Sequence, residues 1–580
     1  MVSKKLLILG CSATKLDADG HIPALDRYDG PMYRVLRKFL REREWPQDLS
    51  IGVLSAEHGL FGSLKGIENY DRRMNKTIAA EKAHECLAVL EKWRDGGHGA
   101  SYLPLGKDYL PAVQPGLDSL NIPHETFNGG IGEKMSQVKT LLNATSTIPR
   151  RKAAQVEGGT GQTNYFLPDW DDLLDPGFDF ENDSFSGPTR EERSDEHCCR
   201  LMQPKRMSDG ILVSLAQQGT SRGPLRRLRG TELGALAPLP LREHYGLTDT
   251  QHLFGDCGAF SYVNEEVPTI SVEQAVSLYD LYNFDFGTSV DHIPVGKISR
   301  DGELVTLSDE ERQNRVDTTR KYAKDFIDAV KKRKAQFNPV GAIQGLNPEQ
   351  YAESVLDYYE MGYRHIALGG LVPLKDNEIE SIVRAVDTAA KTLRNRPWIH
   401  LFGVFRPNLQ EVFRELKIDS FDSASYFRKA WLRSSQNYLG ANGEWYAALR
   451  VPMTSDGRTR KRLMAADADI PQLELEEQKV LRLLNQYDKD EAKLNEVLDA
   501  VLSYDRHLAR SSETQSMRER YRRTLEKRPW RNCDCPFCQE LGIHILIFRG
   551  ANRNKRRGAH NTLMLYGKIH KNNLDIGPTP

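Results

Sequence analysis

No run of apolar residues in this chain approaches the roughly 20 needed to cross a bilayer. Met1-Val2-Ser3-Lys4-Lys5 leads into only a short apolar segment before Cys11. No membrane span is expected, and the expectation is a soluble, cytoplasmic protein. An excess of charge of one sign is also missing, with 80 acidic against 80 basic side chains. No global field therefore advertises a polyanionic partner, and any nucleic-acid surface must be a local patch. Cysteine is scarce, eight in 580 residues, and three of them (Cys533, Cys535, Cys538) fall within six positions. That spacing argues against a disulfide framework and for a metal in a reducing compartment.

The length calls for more than one domain. In residues 1–145, Leu6-Leu7-Ile8-Leu9-Gly10 and Ile51-Gly52-Val53-Leu54-Ser55 are buried-strand runs, and Tyr33 to Arg43 and Ala79 to Trp93 have helical spacing. Strands alternating with helices predict a small α/β domain with a largely parallel sheet. Ser12, Lys15, Ser55 and His58 follow strand ends, the edge where such sheets bind ligands, although ordinary loop polarity gives the same pattern. Cys11 reads as a half-buried structural thiol or a nucleophile without an identifiable base. These motifs, with Tyr70-Asp71, resemble an uncharacterised α/β domain family found beside nucleic-acid modification enzymes. Residues 146–163, with Pro149-Arg150-Arg151-Lys152 and Gly158-Gly159-Thr160-Gly161, read as a flexible linker. Phe166 to Asp172 mixes aromatics with acids and reads as a segment wrapped on a surface.

Residues 164–580 form the third division. Seven strand candidates, each ending in glycine or a polar group, begin at Ile211, His252, Phe284, Val340, His365, Ile399 and Ile418. Helical patterns separate them at Val272 to Tyr282, Val316 to Phe337, Pro348 to Met361 and Glu378 to Leu393. An eighth strand is not evident, yet chemistry-bearing residues recur at one end of nearly every strand, so a (β/α)8 barrel fits better than an open sheet. A charged helical insertion is expected over about 473–527.

Asp256, Asp291 and Asp422 supply carboxylates at strand ends, Gln344 an amide, and Gly369-Gly370 exposed backbone. An amide with a carboxylate can pair with the edge of a purine-like base, and glycines let a flat ligand approach closely. Two further carboxylates suit substitution at a glycosidic carbon, one attacking and one moving the leaving group's proton. An isolated Asp422 also fits a turn cap. Cys533, Cys535, Cys538 and a histidine 22 residues later, His560, can close a tetrahedral zinc shell with no open position, a structural site. His544 is the competing fourth ligand, but it lies in the apolar run Ile543 to Phe548 and reads as a strand side chain.

From about residue 164 the chain resembles the tRNA-guanine transglycosylase family. The resemblance rests on Gly255-Asp256-Cys257-Gly258-Ala259-Phe260, Thr288-Ser289-Val290-Asp291-His292-Ile293-Pro294, Ile343-Gln344-Gly345, Leu368-Gly369-Gly370-Leu371, Phe402-Gly403-Val404, Phe421-Asp422-Ser423-Ala424-Ser425-Tyr426 and the cysteine motif ending at His560-Asn561, in the family's order. It implies a zinc-binding barrel and base exchange through a covalent glycosyl-enzyme intermediate. In that reading Asp422 is the nucleophile and Asp256 the general acid/base, while Asp291, Gln344, Gly369 and Gly370 hold the base. Cys533, Cys535, Cys538 and His560 then ligate structural Zn2+.

The departures have a pattern. Asp-Cys-Gly-Ala-Phe stands where the family usually has Asp-Ser-Gly-Gly-Phe, and only about twenty residues follow His560, with no RNA-binding domain among them. With the extra N-terminal domain, the insertion and the segment Asp169-Trp170-Asp171-Asp172, this is similar to the DpdA-type branch. That likeness implies exchange of guanine in DNA for a 7-deazaguanine such as 7-cyano-7-deazaguanine (preQ0). The resemblance also implies a homodimer or companion DNA-modification proteins. The alternatives are tRNA as the polymer, a catalytically silent nucleic-acid-binding subunit, or an unrelated zinc barrel hydrolase. Retention of all three carboxylates argues against silence, and the closed four-ligand set argues against the hydrolase. Basic clusters at Arg222 to Arg229, Arg518 to Arg531 and Arg553 to Arg557 are candidate phosphate contacts, each equally readable as a solvated face.

Overall fold

The computed structural model describes residues 4–170, 172–216, 233–432, 435–465, 468–507 and 511–570. The candidate basic cluster Arg222 to Arg229 lies outside the described residues, as does Asp171. The chain divides into two compact units. One comprises Met1–Thr160, Leu212–Leu241 and His252–Phe402, and the other Gly161–Ile211, Arg242–Gln251 and Gly403–Pro580.

The first unit opens with a five-stranded sheet. Its strands are β1 (Lys4–Gly10), β2 (Leu49–Ser55), β3 (Gly59–Gly62), β4 (His98–Leu103) and β5 (His124–Thr126), in the order β3-β2-β1-β4-β5. Only β3 runs antiparallel, to β2; the remaining pairs are parallel. Helices α1 (Pro31–Glu42), α2 (Lys76–Asp95) and α3 (Leu110–Ser119) provide the crossovers, and α4 (Ile131–Thr145) follows the last strand. Because both faces of a parallel sheet are covered, β2 is buried at every position. The two faces bury separate cores, one around Leu7, Leu9 and Tyr33, the other around Leu6, Ile8 and Trp93.

The barrel strands are β6 (Asn164–Pro168), β7 (Gly210–Ser214), β8 (His252–Asp256), β9 (Phe286–Thr288), β10 (Asn338–Ile343), β11 (His365–Leu368), β12 (Trp398–Leu401) and β13 (Ser420–Asp422). They close in the order β7-β8-β9-β10-β11-β12-β13-β6. The (β/α)8 expectation therefore holds, and the missing eighth strand is β6. It pairs in parallel with β13, Phe166 opposite Asp422, and Tyr165, Phe166 and Leu167 are fully buried. The expected surface-wrapped segment is thus corrected at its start: Phe166 and Leu167 belong to a barrel strand. Only three apolar residues, bracketed by Asn164 and Pro168, were available to reveal it.

In the first unit the barrel helices α5 (Val272–Leu281), α6 (Asp309–Arg333), α7 (Pro348–Met361) and α8 (Asp376–Lys391) follow the periodic segments closely. Tyr279 of α5 occupies the space a side chain would need at Gly255 and Gly287, where an added Cβ would come within 2.1 and 2.5 Å of its ring. These glycines let a helix lie close on two adjacent strands. The strands' inner faces meet in aromatic packing, with Phe286 stacked on Trp398 at 5.1 Å and Phe254 against His400 at 4.8 Å. The N-terminal elements are tied to these helices by buried charge. Asp26 pairs with Arg333 at 2.5 Å and accepts from Ser277, while Arg150 pairs with Asp280 at 2.9 Å.

In the second unit, α9 (Ser425–Lys429) follows β13. Then come α10 (Ile470–Asp488), α11 (Leu494–Arg506) and α12 (Ser511–Lys527), which occupy the expected helical insertion, and α13 (Pro536–Leu541) and α14 (Gly550–His570).

Candidate active site and metal centre

Strand ends position the site residues. Asp256 is the last residue of β8, Gln344 directly follows β10, Gly369 directly follows β11, and Asp291 stands three residues beyond β9. In the first unit, Asp291 and Gln344 meet: the Gln344 Nε2 donates to Asp291 Oδ2 at 2.6 Å. The other carboxylate oxygen accepts from the Cys257 thiol at 2.8 Å. Tyr262 donates to the Asp291 carbonyl at 2.9 Å and its hydroxyl lies 3.1 Å from the Cys257 sulfur. Burial pushes the Asp291 carboxyl above its ordinary range, while the bonds from Cys257 and Gln344 work in the opposite direction.

Residue spacing did not disclose the part played by Cys257, Tyr262 and Tyr351. The one signal was the departure at Cys257 from the family's usual serine. A thiol donates a weaker hydrogen bond than a hydroxyl, and here it donates to Asp291. Tyr351 donates to the Gly369 carbonyl at 2.8 Å. A Cβ at Gly369 would stand 2.1 Å from Gln344 Nε2, so a glycine is required for the amide to lie where it does. Gly370 has φ +72°, a left-handed conformation that favours glycine. Gln344 Oε1, in a side chain only 2% exposed, has no hydrogen-bond partner. A buried acceptor without a donor costs about 1–3 kcal/mol, a cost that an N–H reaching Oε1 would offset.

Asp422 is the last residue of β13 in the second unit. It is 6% exposed, and its Oδ1 accepts from the Gly403 amide at 2.8 Å. Tyr165 of the adjacent β6 donates to the Ser423 carbonyl at 2.7 Å, fixing the turn that follows. A strand-end carboxylate oriented by a backbone N–H is pre-set as a nucleophile or an electrostatic stabiliser.

The second unit also holds the cysteine cluster. His560 Nδ1 lies 3.6 Å from Cys533 Sγ, 3.4 Å from Cys535 Sγ and 3.4 Å from Cys538 Sγ. An ion with tetrahedral Zn–S and Zn–N bonds of ordinary length implies S···N edges of about 3.5 Å. The four residues therefore fit a metal ion of that kind. The other ring nitrogen, Nε2, meets the Leu439 carbonyl at 2.7 Å, which directs Nδ1 into the cluster, and the Tyr438 ring stacks on the imidazole at 4.2 Å. His544 is elsewhere: it sits in the 3-10 turn Gly542–Leu546, its Nδ1 3.3 Å from Arg553. The strand expected at Ile543 to Phe548 shrinks to Ile547–Phe548.

One candidate phosphate surface is overturned. Arg553, Arg556 and Arg557 are at most 1% exposed. Arg553 pairs with Asp183 and donates to the Phe180 carbonyl; Arg556 donates to Asp175 O at 2.8 Å; Arg557 donates to Ile545 O at 3.0 Å. Buried guanidinium groups spent on carboxylates and carbonyls bind no phosphate. Arg518, Arg523 and Arg531 near the other cluster lie toward the surface, in ion pairs with Asp499, Glu444 and Asp490 at 2.9 to 3.0 Å. In the segment Asp169 to Asp172, Asp169 is buried and accepts from Tyr245 at 2.7 Å, while Trp170 is exposed beneath Arg428.

Comparison with known proteins agrees with this architecture. The family model described as "Queuine tRNA-ribosyltransferase" matches residues 302–479. A protein named "DNA-guanine transglycosylase" from Salmonella montevideo is 35% identical over 413 residues, covering 70% of this chain and 96% of that protein. The chain belongs to the tRNA-guanine transglycosylase family, as a DpdA-like member. It is a pentosyltransferase with guanine transglycosylase activity.

Proposed function

We propose that this enzyme replaces guanine in DNA with a 7-deazaguanine, 7-cyano-7-deazaguanine being the expected base, through a covalent aspartyl-glycosyl intermediate. The observation that carries the reading is the Asp291–Gln344 pair, with its carboxylate and its unfilled amide acceptor oriented together. Guanine and 7-deazaguanines share the N1–H and exocyclic amine edge that such a pair reads. The name of the Salmonella relative supports DNA as the polymer.

In the proposed reaction the Asp422 carboxylate attacks C1′ of a flipped guanosine. The C1′–N9 bond breaks, its electron pair leaves with guanine, and Asp256 supplies the proton that neutralises the departing base. Asp256 then takes a proton from the incoming 7-deazaguanine, whose nitrogen attacks C1′ and releases Asp422. Gly369 and Gly370 admit the flat base against backbone. Extrusion of the nucleotide from the duplex precedes chemistry, because C1′ cannot be attacked within the stack.

Cys533, Cys535, Cys538 and His560 would hold Zn2+. A fully protein-ligated zinc supplies folding energy rather than an activated water. The same reading divides the chain into an N-terminal domain (1–145), a linker (146–163) and the transglycosylase domain (164–580).

The intermediate provides the test. Enzyme incubated with guanine-containing DNA and quenched in denaturant should yield a protein–DNA adduct that Asp422→Asn does not form. An adduct that persists in Asp422→Asn removes the assigned nucleophile; an adduct with tRNA alone replaces the polymer.

A further inference from the structure

The N-terminal sheet carries a second polar cluster that base exchange does not use. In the order β3-β2-β1-β4-β5, the strand after β1 lies on one side of it, while the strand after β4 lies on the other. The crevice beyond the carboxyl ends of β1 and β4 is therefore the sheet's topological switch point, the position at which open α/β sheets take up ligands. Its walls come from the loops that follow these two strands. Cys11 directly follows β1, and Tyr109 lies in the connection after β4.

These loops are joined across the crevice. The Tyr109 hydroxyl donates to the Cys11 carbonyl at 3.2 Å and lies 3.3 Å from the Cys11 sulfur. At the neighbouring end of β2, Ser55 Oγ and the Tyr28 hydroxyl hold the Tyr70 hydroxyl at 2.8 and 2.6 Å. Tyr70 and Tyr109 are thus fixed by their buried hydroxyl ends, and both side chains keep part of their surface in solvent. The Lys15 ammonium stands 4.4 Å from the Tyr70 ring centroid. The His58 ring packs edge-on to Tyr70 at 5.2 Å, and its Nε2, although inaccessible, makes no hydrogen bond.

The crevice therefore presents two immobilised aromatic rings and a cation. Fixed tyrosine rings suit a nucleobase, since every base offers a π face on which an aromatic ring can stack. A lysine beside them suits a phosphate as a point charge. We propose that the N-terminal sheet binds a purine mononucleotide at this crevice, its base against the Tyr70 and Tyr109 side and its phosphate on Lys15. The site is separate in sequence and in chemistry from Asp291, Gln344 and Asp422.

Photolabelling of the full chain with 8-azido-AMP, followed by peptide mapping, tests this. The expected result is label on the peptides containing Tyr70 or Tyr109, competed by AMP and reduced about tenfold or more in Lys15→Ala (loss of one charge-assisted contact). Lys15→Arg should restore labelling, and Asp422→Asn should label like the wild type. No competable label, label confined to other peptides, or label undiminished in Lys15→Ala would overturn the proposal. Inorganic phosphate should compete only weakly; competition by phosphate as strong as by AMP would overturn the role of the base.

Discussion

The cysteine–histidine cluster and the Asp291–Gln344 cluster are both buried and polar, but one is closed and the other is open. Around His560 the three sulfurs fill one side of the ring and the Leu439 carbonyl the other. Around Gln344 the amide donates to Asp291, and Oε1 is left without a donor. A closed set has nothing left with which to engage a substrate, and its free energy goes into the fold. An open set retains an unmet bond that a ligand completes, so its loss should show in turnover before it shows in stability.

The largest effect that sharpens this contrast is at Asp422. Asp422→Asn should remove exchange to background while melting within a few degrees of the wild type, checked by base incorporation and thermal unfolding on the same preparation. The second effect runs the other way. Cys538→Ser should lower the metal content relative to the wild type, measured by elemental analysis, and should lower the melting temperature markedly; metal-ligand folding energies run to about 10–16 kcal/mol in small zinc domains. A variant with full metal content and unchanged melting would erase the distinction between the clusters.

Smaller effects probe the open cluster directly. Gly369→Ala would push the Gln344 amide aside and should lower kcat/KM by about 10- to 100-fold, the range expected when a positioning group moves by about 1 Å. Steady-state kinetics at fixed DNA concentration would read it. The smallest concerns pH. Burial raises the Asp291 pKa in the fold, so its protonated form is favoured there relative to the unfolded chain. Its stabilising contribution is full below about pH 3.9, the unfolded value, and is lost as pH rises through the folded pKa. The melting temperature of Asp291→Asn relative to wild type should therefore rise between pH 4 and pH 7. A difference that stays flat or falls contradicts the burial argument.

Much of this arrangement was readable from residues. Runs of largely apolar residues ending in a polar one, such as His252 to Asp256, correspond to barrel strands, because a strand buried on both faces leaves no other signature. The spacing of Cys533, Cys535 and Cys538 disclosed a ligand set because thiolates that close together have few other uses. β6 escaped notice because its three core residues lead straight into Asp169 and Trp170. The Arg553 to Arg557 run misled for the opposite reason. Charge on a helix reads as surface, and only the distant partners Asp183 and Asp175 reveal that α14 is buried there. The hydrogen bond from Cys257 to Asp291 likewise joins residues 34 apart that no local pattern connects.

The most direct measurement is incorporation of radiolabelled 7-cyano-7-deazaguanine, with guanine in parallel, into purified DNA and into tRNA. Labelled DNA, unlabelled tRNA and loss of incorporation in Asp422→Asn are the predicted results. Incorporation into tRNA alone, or at an undiminished rate in Asp422→Asn, would contradict the account.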